Sequence, residues 1–176
     1  MATLVLTVIG DDRSGLVSAL SGVIAEHGGS WQRSQMARLA GKFAGIVLVS
    51  VPDPDAEALV GALEPLEAQG LLEVTVERGS DDGSTAGEPT RLSLALVGSD
   101  RPGIVHDISR VLAEHQVSIE ELSTATREAP MAGGMLFEAT ATLLAPPGVP
   151  MEDLQAVLEE LAHELMVDLS LSAGSD

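Results

Sequence analysis

Residues 4–17 read LVLTVIGDDRSGLV, and residues 92–105 read LSLALVGSDRPGIV. Both stretches run from an apolar segment through Gly-x-Asp-Arg-x-Gly into a second apolar segment, and Gly10 aligns with Gly98 at an offset of 88 positions. The same offset relates further identical pairs: Val23 and Val111, Ala25 and Ala113, Glu26 and Glu114, His27 and His115, Ser30 and Ser118. Chance would rarely supply this agreement, so the chain contains an internal duplication.

The apolar segment after the second glycine of this motif has the spacing of an amphipathic helix. In both copies apolar residues recur at i, i+1, i+4, i+7 and i+8, which places them on one helical face. They are Leu16, Val17, Leu20, Val23 and Ile24, and then Ile104, Val105, Ile108, Val111 and Leu112. We expect Gly28-Gly29 to end the first helix through a left-handed cap. Two strands are predicted next, over residues 31–39 and 42–51, joined near Ala40-Gly41.

A second helix and a closing strand complete each copy. The helical stripes consist of Leu59, Leu63 and Leu66 in the first copy and of Leu154, Val157, Leu158 and Leu161 in the second. Closing strands are predicted over residues 71–77 and 166–171. The resulting order, β-α-β-β-α-β twice, predicts an α+β protein made of two ferredoxin-like domains in tandem.

The two copies are expected to differ at two places. Phe43 aligns with Phe137 at an offset of 94, so the second copy carries about six extra residues, which we place at 128–134 in a longer loop. The first strands also differ on the face opposite their regular aliphatic side. That face carries Val5, Thr7 and Ile9 in one copy and Ser93, Ala95 and Val97 in the other. The outer faces of the two domains should therefore pack differently.

The segment between the copies, residues 79–89, contains no large apolar side chain and several turn-forming residues. Such a composition is typical of a flexible linker. We therefore expect a first domain over residues 1–78, a flexible linker over 79–89 and a second domain over 90–173. Because open sheets leave strand edges unpaired, the chain is also expected to form a homo-oligomer, at least a homodimer.

Composition excludes several classes of function. Nine Lys and Arg against 27 Asp and Glu give a net charge of −18, which repels nucleic acid, and the only aromatic residues are Trp31, Phe43 and Phe137. We expect no direct binding to nucleic acid. The chain has no cysteine, which excludes disulfides, thiolate nucleophiles and Cys-ligated metals. No metal or cofactor is expected.

The amino-terminal segment argues against export and against the membrane. No basic residue precedes Arg13, and the apolar run from Leu4 to Ile9 is far shorter than the roughly 18 residues that a membrane span needs. We therefore expect no membrane association and a cytoplasmic location.

An enzymatic reading would depend on the four histidines, His27, His106, His115 and His163, with carboxylates such as Asp107 and Glu164. His27 and His115 occupy equivalent helix ends, where a structural role is expected. No G-x-S-x-G, H-E-x-x-H or G-x-x-x-x-G-K-[ST] motif is present. The chain is therefore not expected to be an enzyme.

The duplicated turn suggests a binding site instead. The strand passes through a tight loop into the first amide groups of a helix, and those amides favour an anion. A small carboxylate could lie there while Asp12 or Asp100 receives an ammonium group, which suits a free amino acid. In the alternative interpretation the aspartates cap the helices, Pro102 occupies an early helical position and the glycines serve only the turn.

The pattern Asp-Arg-x-Gly-[Leu/Ile]-Val within β-α-β-β-α-β resembles the ACT domain, a regulatory module that commonly binds amino acids between paired domains. Residues 41–46, GKFAGI, and 135–138, MLFE, are similar to the glycine cleavage system transcriptional repressor family, whose members consist of two ACT domains. This resemblance implies a non-enzymatic regulator that senses a small amino acid, glycine in the first place, and acts through a protein partner such as a transcriptional activator.

Two departures from the family pattern bear on the site. Ser14 replaces a proline that is common in the ACT loop, and Met135 stands where a proline often precedes Leu-Phe-Glu. The resemblance therefore favours the second copy as the ligand site, with Gly103 and the following amides holding a carboxylate and Asp100 holding an ammonium group or orienting the loop. The expected site residues are Asp100, Arg101, Pro102, Gly103 and Ile104, with Asp12, Arg13, Gly15 and Leu16 as the equivalent set. The alternative is a ligand-independent ACT dimerisation or scaffolding protein.

Overall fold

Each half of the chain folds as β-α-β-β-α-β in a computed structural model that describes residues 1–80, 87–131 and 133–174. The first half contains β1 (Ala2–Asp11), α1 (Leu16–Glu26), β2 (Ser30–Leu39), β3 (Lys42–Val51), α2 (Ala56–Ala68) and β4 (Glu73–Arg78). The second contains β5 (Thr90–Ser99), α3 (Ile104–Glu114), β6 (Ser118–Glu128), β7 (Met135–Ala145), α4 (Met151–Leu165) and β8 (Val167–Ala173). A short 3-10 turn, Asp53–Asp55, precedes α2.

Both sheets are antiparallel, with strand orders β2-β3-β1-β4 and β6-β7-β5-β8. This is the ferredoxin-like arrangement, so the predicted α+β fold class with two such domains in tandem is confirmed. The chain divides into two compact units, Met1–Gly83 and Ser84–Asp176. Most of the predicted linker, residues 81–86, lies outside the described residues, and at its start the Gly79 amide donates a hydrogen bond of 2.9 Å to the Thr3 carbonyl.

Each domain has its own core between one face of the sheet and the two helices. In the first domain alternate residues of the central strands are buried, because successive side chains of a strand point to opposite faces. They are Leu4, Leu6 and Val8 of β1 and Val47, Val49 and Val51 of β3, packed with Leu20 and Ile24 of α1 and Leu59 and Leu63 of α2. The second core repeats this plan with Leu92, Leu94, Leu96, Ile108, Leu112, Leu143, Leu154 and Leu158. The helical stripes and aliphatic strand faces thus meet as predicted.

The ends of α1 and α3 are equivalent even though one uses glycine and the other does not. Gly28 has φ 67°, and the Gly29 amide donates to the Ile24 carbonyl at 2.9 Å, which confirms the predicted left-handed cap. In α3 the left-handed position is Gln116, with φ 59°, and the Val117 amide makes the corresponding bond. The two copies therefore have the same backbone conformation at this position, although only the first has glycine there.

Three boundaries refine the predictions. The closing strand of the first domain begins at Glu73 rather than at residue 71, because Leu71 and Leu72 still belong to the turn after α2. Met166, predicted as a strand residue, has φ 53°, is 83% exposed and caps α4, so β8 begins one residue later. Only Ala40 and Gly41 separate β2 from β3, whereas β6 ends at Glu128 and β7 begins at Met135, so the extra residues lie in the predicted loop.

The edge strands β2 and β6 each contain a bulge at the same place. The register of β2 against β3 shifts between Trp31 and Arg33, and that of β6 against β7 shifts between Ile119 and Glu121. In the first domain the bulge directs Trp31 and Met36 toward the core while Arg33 lies on the opposite face. The bulge therefore determines which side chains of the edge strand are available to other molecules.

Candidate ligand site

The two Asp-Arg-x-Gly turns have the same backbone geometry. Gly15 and Gly103 lie directly before α1 and α3 with φ of 92° and 97°, in the left-handed region that favours glycine. No side chain caps either helix at these positions, so the first amides of each helix have no intrahelical or side-chain acceptor there. A Cβ atom added at Gly15 would meet nothing within 4 Å. Each turn therefore presents amides without a side-chain cap, and the space beside the first turn is open.

The first glycine of the motif has a packing role. A Cβ atom at Gly10 would lie 2.4 Å from the Leu71 carbonyl oxygen, and one at Gly98 would lie 2.3 Å from Cγ1 of Val167. Both distances are far below van der Waals contact, so only glycine allows the turn before β4 and the start of β8 to approach this closely. The first glycine of the duplicated motif is thus explained by packing within the fold alone.

Several expectations about individual residues are revised. Pro102 lies two residues before the first residue of α3, so it does not occupy an early helical position. Asp12 and Asp100 do not cap the helices, because the capping positions are the glycines that follow. Leu16 and Ile104 are each 3% exposed, and their side chains belong to the two cores.

In the first domain the turn is tied to its neighbours by basic side chains. Nε of Arg38 lies 3.0 Å from Oδ2 of Asp12, Lys42 pairs with Asp11, and Arg13 donates a hydrogen bond to the Gly70 carbonyl. The hydrogen bond from Lys42, together with its charge, lowers the pKa of the Asp11 carboxyl below its usual value. Asp12, the aspartate of the first turn that was expected to hold an ammonium group, therefore already has a cationic partner in Arg38.

Within residues 87–131 and 133–174, the second domain has no equivalent of these ties. Thr126 pairs with Phe137 at the register position that Arg38 occupies opposite Phe43, and Ser99 and Leu136 replace the ion pair between Asp11 and Lys42. Asp100 is exposed, and within residues 87–131 and 133–174 its carboxylate has no ion-pair partner. Its amide donates to the Met135 carbonyl at 2.8 Å, as the Asp12 amide does to Gly41 at 2.9 Å. The backbone of the turn is conserved between the copies while its charge environment differs.

Comparison with known proteins gives the family. The profile of the ACT domain matches residues 2–77 and again residues 90–172. The chain belongs to the ACT domain family. A UPF0237 protein of Methanopyrus kandleri is 38% identical to this ACT protein over 78 residues, which cover 44% of this chain and 86% of that protein.

Two solved structures are similar over the whole tandem ACT chain. A protein of unknown function from Galdieria sulphuraria is 30% identical, with a TM-score of 0.86 and 99% of each chain covered. A proposed glycine cleavage system transcriptional repressor is 19% identical, with a TM-score of 0.72, covering 99% of this chain and 98% of that one. The second likeness shows that the fold is shared.

Asp107, which the sequence suggested only as a partner for histidine, lies beside the second ACT turn. Asp107 is in the first turn of α3, and its Oδ2 would be 3.7 Å from a Cβ atom at Gly103. The equivalent residue of α1 is Ala19, and α1 has no acidic residue in its first turn. A negative side chain is favourable at a helix N-terminus and competes with any other anion there. Its position four residues after Gly103 is the signal that could have revealed this role.

A small apolar cavity lies behind the same turn. Its volume is about 30 Å³, and its lining includes Ile104 and Ile108 of α3, Leu122 of β6 and Phe137 of β7. A single water needs about 10–15 Å³, so this cavity has room for about two water-sized groups. The cavity is therefore packing space of the ACT core.

Two of the four histidines bind the ends of their own helices. Nδ1 of His27 lies 2.9 Å from the Val23 carbonyl oxygen, and His115 makes the same contact with Val111, so both rings bind the last turns of their helices. Among residues 1–80, 87–131 and 133–174, no three His, Asp or Glu side chains are arranged to hold a metal ion. The helices within those residues are also too short or too polar to cross a bilayer.

Proposed function

We propose that this tandem ACT protein is a non-enzymatic regulator that binds a small amino acid at its Asp-Arg-x-Gly turns. The observation that carries the proposal is the pair of uncapped helix starts, each behind a left-handed glycine. A Cβ atom would meet nothing within 4 Å at Gly15 and would lie 3.7 Å from Oδ2 of Asp107 at Gly103. Membership of a family of regulatory domains supports the same function. Glycine is the first candidate, since a structure similar over the full chain is a proposed glycine cleavage system transcriptional repressor.

The second turn is the better ligand site in this proposal. Among the described residues of the second domain Asp100 has no ion-pair partner, whereas Asp12 pairs with Arg38 in the first turn. The amides that follow Gly103 would donate hydrogen bonds to the ligand carboxylate, and the Asp100 carboxylate would accept hydrogen bonds from its ammonium group. Arg101 and Pro102 shape the turn without entering the core, since both are exposed.

The regulatory output would pass through a protein partner in the cytoplasm, for example a transcriptional activator. A net charge of −18 disfavours direct contact with DNA, so the chain alone should not shift a promoter duplex at moderate salt. In this scheme residues 1–78 and 90–173 act as two ACT units joined by a flexible segment. The partner is expected to respond to the liganded second unit.

Calorimetric titration with glycine, serine and alanine tests the ligand. We expect one of them to bind, and the variant Asp100→Asn to lose at least tenfold in affinity because the carboxylate that receives the ammonium group is removed. Asp12→Asn is the matched control and should change affinity less than twofold. Equal effects of the two variants would contradict the assignment to the second turn.

A second function has one specific observation in its favour. Asp107 already supplies a negative charge next to the helix start of the second turn, as a purely structural helix would. If neither the wild type nor Asp107→Ala binds any of the twenty amino acids, the chain is better described as a ligand-independent ACT dimerisation or scaffolding protein.

A further inference from the structure

Arg101 is the basic residue of the second turn, and its charge is not balanced by a partner in its own domain. The other basic residues of that domain are all in ion pairs of 2.7 to 2.9 Å: Arg91 with Glu120, Arg110 with Glu114 and Arg127 with Glu138. The side chain of Arg101 is exposed, and within residues 87–131 and 133–174 it makes neither an ion pair nor a hydrogen bond. Arg101 is therefore the one free cation of that part of the chain.

The equivalent arginine of the first turn is bound to the connection between α2 and β4. The guanidinium of Arg13 donates a hydrogen bond to the Gly70 carbonyl. Residues 69–72 form this connection, whereas Met166 alone lies between α4 and β8. The shorter connection has no loop residue equivalent to Gly70, so the arginine of the second motif is left without that acceptor.

The neighbouring residue of the turn, Asp100, carries the opposite charge and is also without an ion-pair partner among the described residues of the second domain. Arg101 and Asp100 do not pair with each other. The turn therefore presents one unpaired cation and one unpaired anion at adjacent positions. A free amino acid carries a carboxylate and an ammonium group on the same carbon atom, so its two charges match those of the turn.

We propose that Arg101 binds the ligand carboxylate at the second turn and makes the site selective for zwitterionic amino acids over simple amines. This inference rests on the proposed function, because it assigns a role within the same site. A guanidinium group presents parallel N–H donors that match the two oxygens of a carboxylate, which amides arranged around a helix axis do not. The amides after Gly103 add to this contact, and Arg101 does more than shape the turn.

Asp107 explains why the amides after Gly103 need an additional cation. Its Oδ2 atom would lie 3.7 Å from a Cβ atom at Gly103, so a carboxylate bound to those amides lies near a like charge. Repulsion between two negative charges at such a distance opposes binding. The positive charge of Arg101 offsets this repulsion, because it belongs to the same turn and has no other partner among the described residues of its domain.

Removal of Arg101 would leave the second turn with acidic side chains only. Asp100 and Asp107 would remain, and the register positions that are basic beside the first turn are occupied by uncharged residues, Thr126 and Leu136. A turn with two carboxylates attracts an ammonium group and repels a carboxylate. Arg101 therefore determines whether the site prefers an amino acid or an amine that lacks a carboxylate.

A comparison of amino acids with their amides tests this selectivity in the full chain. Glycine, alanine and serine are titrated beside glycinamide, alaninamide and serinamide at about pH 6.5. This is below the pKa of about 8 that is usual for an α-amino group, so all six compounds carry the ammonium group and only the amino acids carry a carboxylate. The wild type should bind at least one amino acid tenfold more tightly than its amide. Arg101→Gln should lose this preference, with the amide bound at least as tightly as the amino acid.

Two further variants separate the geometry of the guanidinium from its charge. Arg101→Lys keeps the charge without the paired donors, so it should keep the preference for the amino acid at severalfold lower affinity. Arg110→Gln is the matched control, because it removes a cation of α3 that already pairs with Glu114, and it should change neither affinity nor preference. The melting temperature of Arg101→Gln should equal that of the wild type, since its side chain is exposed and makes no bond within the described part of its domain.

The outcomes distinguish this proposal from the proposed function. An Arg101→Gln variant that keeps the tenfold preference would overturn the role of Arg101 while amino acid binding stands. A wild type that binds an amino acid and its amide equally would do the same. A wild type that binds none of the twenty amino acids would overturn the proposed function and, with it, the role of Arg101.

Discussion

Nε of Arg38 lies 3.0 Å from Oδ2 of Asp12, and this ion pair distinguishes the two copies of one loop. Arg38 belongs to the neighbouring strand β2, and its counterpart in β6 is Thr126. Whether the aspartate of the duplicated turn is in an ion pair is therefore determined by a residue outside the motif. The aspartate of one copy is in an ion pair, and that of the other, within residues 87–131 and 133–174, is not.

Removing the arginine at position 38 and introducing one at position 126 should exchange the ligand-binding behaviour of the two turns. We expect Thr126→Arg to reduce amino acid affinity about tenfold, since the guanidinium would pair with Asp100 in place of the ligand ammonium. Arg38→Ala should release Asp12 and add a second binding event in calorimetry. Because the Arg38 side chain is 73% exposed, its loss should change the free energy of unfolding by only about 0.2–1 kcal/mol in urea titrations. Unchanged binding in both variants would contradict the proposed role of the aspartates.

Asp107 should oppose ligand binding while stabilising its helix. Removing it in Asp107→Ala is expected to raise amino acid affinity severalfold, because a competing negative charge leaves the amides after Gly103. The same change should lower the free energy of unfolding by about 0.3–1 kcal/mol through loss of the favourable charge at the helix N-terminus. Asp153→Ala, in the first turn of α4, controls for net charge and should leave affinity unaltered. Reduced affinity in Asp107→Ala would argue that the carboxylate takes part in recognition.

Replacing glycine by alanine should lower the free energy of unfolding at one kind of position and raise it at another. Gly98→Ala forces a Cβ atom to within 2.3 Å of Cγ1 of Val167, so we expect it to destabilise the second domain by about 1–3 kcal/mol. Gly22→Ala lies within α1, where a Cβ atom meets nothing within 4 Å, and should stabilise the first domain by about 0.5–1 kcal/mol. Chemical denaturation followed by circular dichroism measures both. A neutral Gly98→Ala would show that β8 can move away at little cost.

The pair of Asp11 and Lys42 should make stability depend on pH at both extremes. The hydrogen bond and charge of Lys42 lower the pKa of Asp11 below 3.8, and Asp11 in turn raises the pKa of Lys42 above 10.5. The contribution of Asp11 is thus present above about pH 3.8 and is lost as pH falls through the lower folded pKa. That of Lys42 is present below about pH 10.5 and is lost as pH rises through the raised folded pKa.

Carboxyl NMR titration of Lys42→Met checks this pair. We expect the pKa of Asp11 to return to its ordinary range once the ammonium is removed. Asp53 is the internal control, because its pKa is lowered by the amino terminus of Met1 and should not respond. An Asp11 pKa that is the same in both proteins would mean that the ion pair does not persist in solution.

The duplicated pattern was sufficient to predict the fold because period-two strands and amphipathic helices are encoded locally. It could not predict that Met166 leaves the strand, since its left-handed backbone depends on how α4 ends. Of the candidate site, only the position of the turn could be predicted from the sequence. That Arg38 neutralises Asp12 and that Asp107 approaches Gly103 depend on strand register and helix phase, which a linear spacing does not reveal. The site residues themselves remain predictions.

The matching bulges of β2 and β6 also carry a record of how the chain arose. Two strands that now share few residues keep one additional residue at the same step of their ladders, between Trp31 and Arg33 and between Ile119 and Glu121. Independent insertion at equivalent steps would require two coincident events, so the simplest history has the irregularity present in a single-domain ancestor. The ancestral gene would then have doubled with its edge strand already shaped, and the later divergence of the copies changed only what that strand displays.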